Sequence, residues 1–159
     1  MHNYFMVETA TAKELSVAEA IDAIVGLDSS YVPMDPRLIK KSQRGPSRTR
    51  LNSIRYVPIC PRLVFMTASY PRLDLVREVK GFERFIIGPH DQPEVIPSWQ
   101  MAEFMRMVEN LRAQALKQIE RQGSKQKSQR FKSFRDVLEY LNKTGETADP
   151  ETGEISQAA

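Results

Sequence analysis

The residues of this sequence whose type and spacing suggest a chemical role are Lys and Arg, which can bind anionic groups. Between residues 37 and 72 the chain carries nine Lys and Arg residues and no Asp or Glu. Cations without counter-charges repel one another, so folding alone gives little reason to collect them. A nucleic acid gives a reason, because each Lys or Arg that meets a phosphate releases condensed counterions. The cations of this stretch that we expect to contact phosphates are Lys40, Lys41, Arg44, Arg48, Arg50, Arg55 and Arg62.

A second basic segment spans residues 117–135, where seven cations accompany a single acid, Glu120. We expect Lys125, Lys127 and Arg130 to add phosphate contacts to those of the first stretch. In contrast, residues 144–159 carry four acids and no cation. A basic body with an acidic tail is typical of nucleic-acid binders.

Residues suited to catalysis are few. The only histidines are His2 and His90, and the only cysteine is Cys60, so they cannot close a zinc site of the usual type. His90, Asp91 and Glu94 form the one compact polar cluster, but flanking prolines favour a turn in which Asp stabilises the loop. The sequence has no phosphate-cradling glycine loop and no Gly-x-Ser-x-Gly elbow. We therefore expect no catalytic residues, no metal and no cofactor, and Cys60 as a small buried residue.

Length and composition bound the class of protein. The 159 residues suit one domain with a tail, and 41% hydrophobic with 27% charged residues is ordinary for a globular protein. The single cysteine allows no internal disulfide, which favours a cytoplasmic protein. The N-terminus does not resemble a signal peptide, and no apolar run approaches the length of about 18 residues that a membrane span needs.

The pattern of apolar residues predicts an α+β fold. A small antiparallel sheet is packed by a short N-terminal helix and one long helix, followed by a short C-terminal helix and a disordered tail. Residues 16–19 read as a capping box, which predicts a helix over 17–25. Prolines make residues 28–50 a loop, whose basic part spans 37–50. Strands are expected over 51–68, broken at 58–61, and over 82–87, while 73–79 suits either an edge strand or a helical turn.

The second half of the chain is predicted to be helical and then disordered. The apolar stripe after Ser98 predicts a long helix over 99–122, which closes a globular domain of residues 1–122. A basic linker follows over 123–132. A capping box from Ser133 to Asp136 opens the short helix 133–144, and residues 145–159 have the composition of a disordered acidic tail.

These observations favour a non-enzymatic protein that binds DNA or RNA. The aromatic residues Tyr56, Phe65 and Tyr70 are interleaved with arginines. Exposed rings and arginines together hold single strands, although core positions are expected for Tyr56 and Phe65. The alternative is a protein-interaction or inhibitor module whose basic face docks on an acidic protein. A third hypothesis is a structural subunit of a larger assembly. Small size and the lack of enzyme motifs favour an origin in a bacterium or a mobile element.

Overall fold

The fold combines two antiparallel sheets with four helices. The computed structural model describes residues 3–41, 51–122 and 130–146. Its strands are β1 (Tyr4–Thr9), β2 (Ser30–Tyr31), β3 (Met34–Lys41), β4 (Leu51–Pro58), β5 (Leu63–Thr67), β6 (Phe82–Phe85) and β7 (Val95–Ile96). Its helices are α1 (Glu14–Val25), α2 (Tyr70–Val76), α3 (Ser98–Gln122) and α4 (Phe134–Glu146), with one 3-10 turn at Pro89–Asp91. The predicted α+β class is confirmed.

The larger sheet has five strands centred on β1. Its order is β2-β5-β1-β6, and the short β7 also pairs with β1, with every pairing antiparallel. In β1, Phe5 and Val7 point to one face and Met6 to the other, because side chains alternate along a strand. All three are buried, so helices cover both faces of this strand.

Each face of the five-stranded sheet has its own core. On one face Phe5 and Val7 pack with residues of α1 and α2, including Val17, Ile21 and Leu73. On the other face the core joins the sheet to α3 and α4. Its rings are Phe65, Phe104, Phe131 and Phe134, and the Phe65 and Phe104 centroids lie 5.2 Å apart.

The N-terminal helix begins earlier than the sequence predicted. Lys13 precedes it, and no side chain caps its first turn. Ser16 lies inside the helix, where its hydroxyl donates to the Lys13 carbonyl at 3.0 Å. The buried Glu14 carboxylate instead accepts from the backbone N–H of Arg62 at 2.7 Å. The interpretation of residues 16–19 as a capping box is therefore wrong.

The prediction of a loop over residues 28–50 is wrong for β2 and β3, which lie within it. Pro36 suggested a break, yet it pairs in register with Tyr56 of β4. Proline is tolerated in an edge strand because the outer side of such a strand needs no ladder N–H. Residues 42–50 lie outside the described part of the chain.

The segment that suited either a strand or a helical turn is α2. It begins after Ser69, carries Pro71 in its first turn, and buries Leu73 and Val76 at helical spacing. Pro71 is compatible with this helix because the first-turn N–H groups lack intrahelical partners.

The two later helices were predicted closely. α3 begins at Ser98, and α4 opens with the predicted capping box: the Asp136 N–H donates to Ser133 Oγ at 3.3 Å, and the Ser133 N–H donates to Asp136 Oδ2 at 3.1 Å. The expected linker 123–132 ends earlier, because Phe131 is buried in the core. Residues 123–129 and 147–159 lie outside the described part of the chain. None of the described helices is both long and apolar enough to cross a membrane.

Candidate nucleic-acid interface on the two-stranded ribbon

Strands β3 and β4 form a two-stranded ribbon that is separate from the five-stranded sheet. The register runs from Met34 opposite Pro58 to Lys41 opposite Leu51 without a bulge. Residues 42–50 connect the far ends of the two strands. The ribbon therefore places Lys40 and Lys41 beside the ends of a segment whose sequence adds Arg44, Arg48 and Arg50.

One face of the ribbon is apolar. Pro36 and Leu38 of β3 lie opposite Tyr56 and Ile54 of β4 on this face, as the register and the alternation of side chains require. The Arg112 guanidinium of α3 lies 5.4 Å from the centre of the Tyr56 ring, so this face is turned towards α3. Tyr56 keeps 45% of its surface exposed, and the expectation of a core position for this ring is wrong.

The other face carries Asp35, Arg37 and Arg55, and Arg37 lies opposite Arg55 in the register. Asp35 is buried, and among the described residues its Oδ2 has no hydrogen-bond partner. Burial raises the pKa of Asp35, and the charges of Arg37 and Arg130 oppose that rise. Burial and the charge of Arg130 lower the pKa of Arg37. The second basic segment thus reaches the ribbon through Arg130.

A chain of backbone hydrogen bonds fixes the base of the ribbon. The Ile59 N–H donates to the Pro33 carbonyl at 2.8 Å. The Phe131 N–H donates to the Ile59 carbonyl at 3.1 Å. Ile59, just after β4, therefore joins the start of β3 to the segment that precedes α4 through its N–H and its carbonyl.

Arg62 lies apart from the ribbon, in the turn before β5. Its backbone adopts φ 67°. Its Nε donates to the Thr9 carbonyl at 3.0 Å, and its guanidinium forms ion pairs with Glu8, at 3.2 Å, and with Glu83. These contacts tie β1, β6 and the turn together.

The structure places five of the ten residues predicted to contact phosphates, and these five lie in three places. Lys40, Lys41 and Arg55 lie in the ribbon, Arg130 lies near its base, and Arg62 lies on the sheet. The remaining five are outside the described part of the chain: Arg44, Arg48, Arg50, Lys125 and Lys127. Sequence reasoning left out Arg37 as a site residue and missed Arg112, since nothing in the helical stripe of α3 shows which exposed arginine meets the ribbon.

Groups suited to catalysis are not assembled elsewhere in the described ranges. His90 and Asp91 lie in the 3-10 turn with φ of 68° and 54°, which agrees with the expected turn. No group of three or more His, Cys, Asp or Glu residues in the described part of the chain is placed to hold a metal. Cys60 is buried, and burial, with the Asp136 carboxylate, raises its pKa to about 12, so the thiolate nucleophile is disfavoured.

Comparisons with known proteins identify the family. A family model described as "NusG: Transcription termination factor nusG" matches residues 2–105, more than half of the chain. A search of curated proteins found no match. Among solved structures, the chain is similar to one that describes the domain interaction of NusG from Thermotoga maritima, with 20% identity and a TM-score of 0.42. The similarity covers 69% of this chain and 59% of that one, so the chain spans less than two thirds of the length of that protein.

The class of protein is an α+β domain that carries a separate basic ribbon. The chain belongs to the NusG family. The matched residues include the five-stranded sheet, α1, α2, the ribbon and the first turns of α3. Helix α4, which packs on the sheet, lies beyond the residues that the family model matches.

Proposed function

We propose that this chain is a non-enzymatic transcription factor that contacts nucleic acid through the β3–β4 ribbon while its body associates with the transcription machinery. Membership of the family supports a role in transcription, since NusG proteins are transcription factors that interact with RNA polymerase and nucleic acids. The observation that carries the proposal is the ribbon itself, a cationic element without acids along β4 and with only Asp35 at the root of β3. A cytoplasmic site of action is part of the same proposal.

The ribbon suits phosphate contact for a geometric reason. Two antiparallel strands place Arg55 directly opposite Arg37 in the register, so a phosphate that Arg55 contacts meets a face with a cation on each strand. Lys40 and Lys41 continue β3 towards residues 42–50. Arg130 brings the second basic segment to the base of the same element. The contacts proposed here are to the nucleic-acid backbone, which fixes position and carries no base sequence directly.

Arg62 has a different role in this proposal. Its guanidinium is already paired with two carboxylates and a carbonyl, and these contacts neutralise its charge locally. We assign Arg62 to holding β1 and β6 together. The phosphate contacts then belong to Lys40, Lys41, Arg44, Arg48, Arg50 and Arg55, supported by Lys125, Lys127 and Arg130.

The test is fluorescence anisotropy of labelled single-stranded and duplex DNA and RNA, titrated with the protein at several salt concentrations. We expect a log–log salt slope between about −3 and −6, which corresponds to roughly four to six simultaneous phosphate contacts at about 0.7 to 0.9 each. A variant with Arg48→Glu, Arg50→Glu and Arg55→Glu should bind at least about tenfold more weakly and show a shallower slope.

A matched control reverses three exposed cations that lie outside the two ribbon strands, with Lys80→Glu, Arg106→Glu and Lys143→Glu. This variant has the same net charge as the ribbon variant, so a difference between the two reports position and not total charge. Equal binding by the ribbon variant and the parent protein would refute the assignment of the site.

The protein-interaction alternative is supported by the apolar face of the ribbon. Ile54 and Tyr56 remain 47% and 45% exposed on this face. An acidic protein surface would satisfy the neighbouring arginines as a phosphate does. Co-sedimentation with RNA polymerase free of nucleic acid separates the two hypotheses. Retention that the ribbon variant loses, without affinity of the parent for any oligonucleotide, would favour the protein partner.

A further inference from the structure

A cavity of about 580 Å³ lies between the five-stranded sheet and the start of α4. Its apolar lining includes Met6, Leu63 and Ile86 from the sheet side and Phe134 and Leu138 from α4. The cavity is well within the size range of small-molecule sites, which are mostly apolar with a few polar groups that orient the ligand.

The polar part of the lining has an excess of positive charge. Beside Ser133 it comprises four cations and two carboxylates, namely Arg62, Arg84, Lys132, Arg135, Glu8 and Glu94. Both oxygens of Glu8 are already used, one by Arg62 and one by Arg84. With Glu94, the sheet side carries two cations and two carboxylates, so its charges balance.

The excess charge comes from the α4 side. Lys132 is exposed, and no ion pair of its side chain is seen among the described residues. Arg135 Nε lies 3.6 Å from Glu139 Oε1, and this pair is open to solvent, with 88% and 60% of the two side chains exposed. An exposed pair of this kind is weak and exchanges its partner at little cost.

We propose that this cavity binds a small amphipathic anion, with its apolar body on Met6, Ile86 and Leu138 and its anionic head beside Lys132 and Arg135. A ligand in this position contacts the sheet and α4 at once. It binds the docked arrangement of α4 only, and therefore stabilises that docking by mass action. The site does not depend on the ribbon or on nucleic acid.

A matched pair of dyes tests the site on the full chain. One is 8-anilinonaphthalene-1-sulfonate, and the other is N-phenyl-1-naphthylamine, which has the same aromatic body without the sulfonate. We expect saturable binding of the sulfonate at one site, at least tenfold tighter than binding of the neutral dye. Amide NMR shifts should fall on Met6, Ile86 and Leu138.

Two variants separate the site from general surface binding. Lys132→Gln with Arg135→Gln should weaken the sulfonate at least fivefold and leave the neutral dye within twofold. The control, Lys80→Gln with Lys143→Gln, removes the same charge from exposed positions outside the cavity and should change neither dye. Helical circular dichroism verifies that α4 is retained.

The proposal is overturned if the two dyes bind equally, if the shifts map elsewhere, or if both variants weaken the sulfonate alike. It is also overturned if Leu138→Trp, which fills the apolar part of the cavity, leaves sulfonate binding unchanged in a folded protein. Nucleic-acid binding by the ribbon is unaffected by each of these outcomes, so failure here leaves the proposed function standing.

Discussion

Cys60 shows how a residue of potential chemical interest becomes a structural one. It is the only cysteine of the chain and is fully buried between β4 and β5. Its environment is the aromatic core of Phe65, Phe104 and Phe131. The sequence predicted a small core or half-buried residue, because a lone cysteine between two apolar strands is usually packed with their side chains.

The first prediction follows from the raised pKa of Cys60. The folded protein keeps the thiol proton up to about pH 12, whereas the unfolded chain releases it near pH 9.0. The stability is therefore complete below pH 9 and is lost as the pH rises from 9 towards 12, by up to about 1.4 kcal/mol per pH unit. Urea unfolding at pH 7.5, 9 and 10 measures this loss.

Cys60→Ala is the control, since it removes the titrating group. Its free energy of unfolding should be lower at pH 7.5 but should fall less steeply above pH 9. Parallel pH profiles for the two proteins would contradict the assignment to Cys60. Burial raises the pKa of Tyr31 to about 12, and Cys60 adds to this rise, so Tyr31 contributes to both profiles and contributes less to that of Cys60→Ala.

At the scale of the element, the ribbon is the feature that sequence reasoning predicted only in part. β4 was expected from its alternating residues, but its partner was taken for a loop because of three prolines. The prolines led to the wrong prediction because proline disrupts a strand only where its N–H is needed for pairing. Whether a strand has a neighbour on both sides depends on residues far apart in sequence. Tyr56 was misplaced for the same reason, since its partner Arg112 belongs to α3.

The pairing of Arg37 with Arg55 leads to the second prediction. Like charges directly opposite in a strand pair are destabilising, and opposite charges contribute roughly 0.2–1 kcal/mol. Arg55→Glu should therefore slow hydrogen exchange of the β3 and β4 amides while it weakens nucleic-acid binding. Amide exchange by NMR measures the first effect and anisotropy the second.

Arg55→Gln serves as the reference, because it removes the repulsion without adding an attraction. Its exchange rates should lie between those of the parent and of Arg55→Glu. If Arg55→Glu accelerated hydrogen exchange in the ribbon, repulsion between Arg37 and Arg55 would not be what destabilises this strand pair.

At the scale of the whole molecule, the sequence predicted the fold class and the helices but not how the strands divide. The separation into a five-stranded sheet and a ribbon depends on pairings such as β1 with β5 and β1 with β6, which join residues more than fifty positions apart. Local patterns do not contain that information. The short C-terminal helix was predicted through its capping box, whereas its capping motif did not decide between packing on the core and a detachable module. The structure packs it on the core through buried Phe134 and Val137.

The third prediction concerns that docking. A chain ending at residue 122 lacks Phe131, Phe134 and Val137, which cover Phe65 and Phe104. Each such side chain contributes roughly 1.5–3 kcal/mol when fully buried. The truncated protein should have a lower melting temperature and should self-associate, because contiguous exposed apolar patches promote association.

Differential scanning calorimetry and analytical ultracentrifugation measure the two effects. A chain ending at residue 146 keeps α4 and lacks only residues 147–159, and it should match the parent in both. An equally stable, monomeric chain of residues 1–122 would show that α4 is not part of the core.

Ile59 also provides a mechanical connection within the molecule. Its N–H is bonded to Pro33 and its carbonyl to Phe131, so it connects the base of the ribbon to the segment that leads into α4. A partner that pulled on the chain at the C-terminal side of Phe131 would therefore load these two hydrogen bonds, and with them the base of the ribbon.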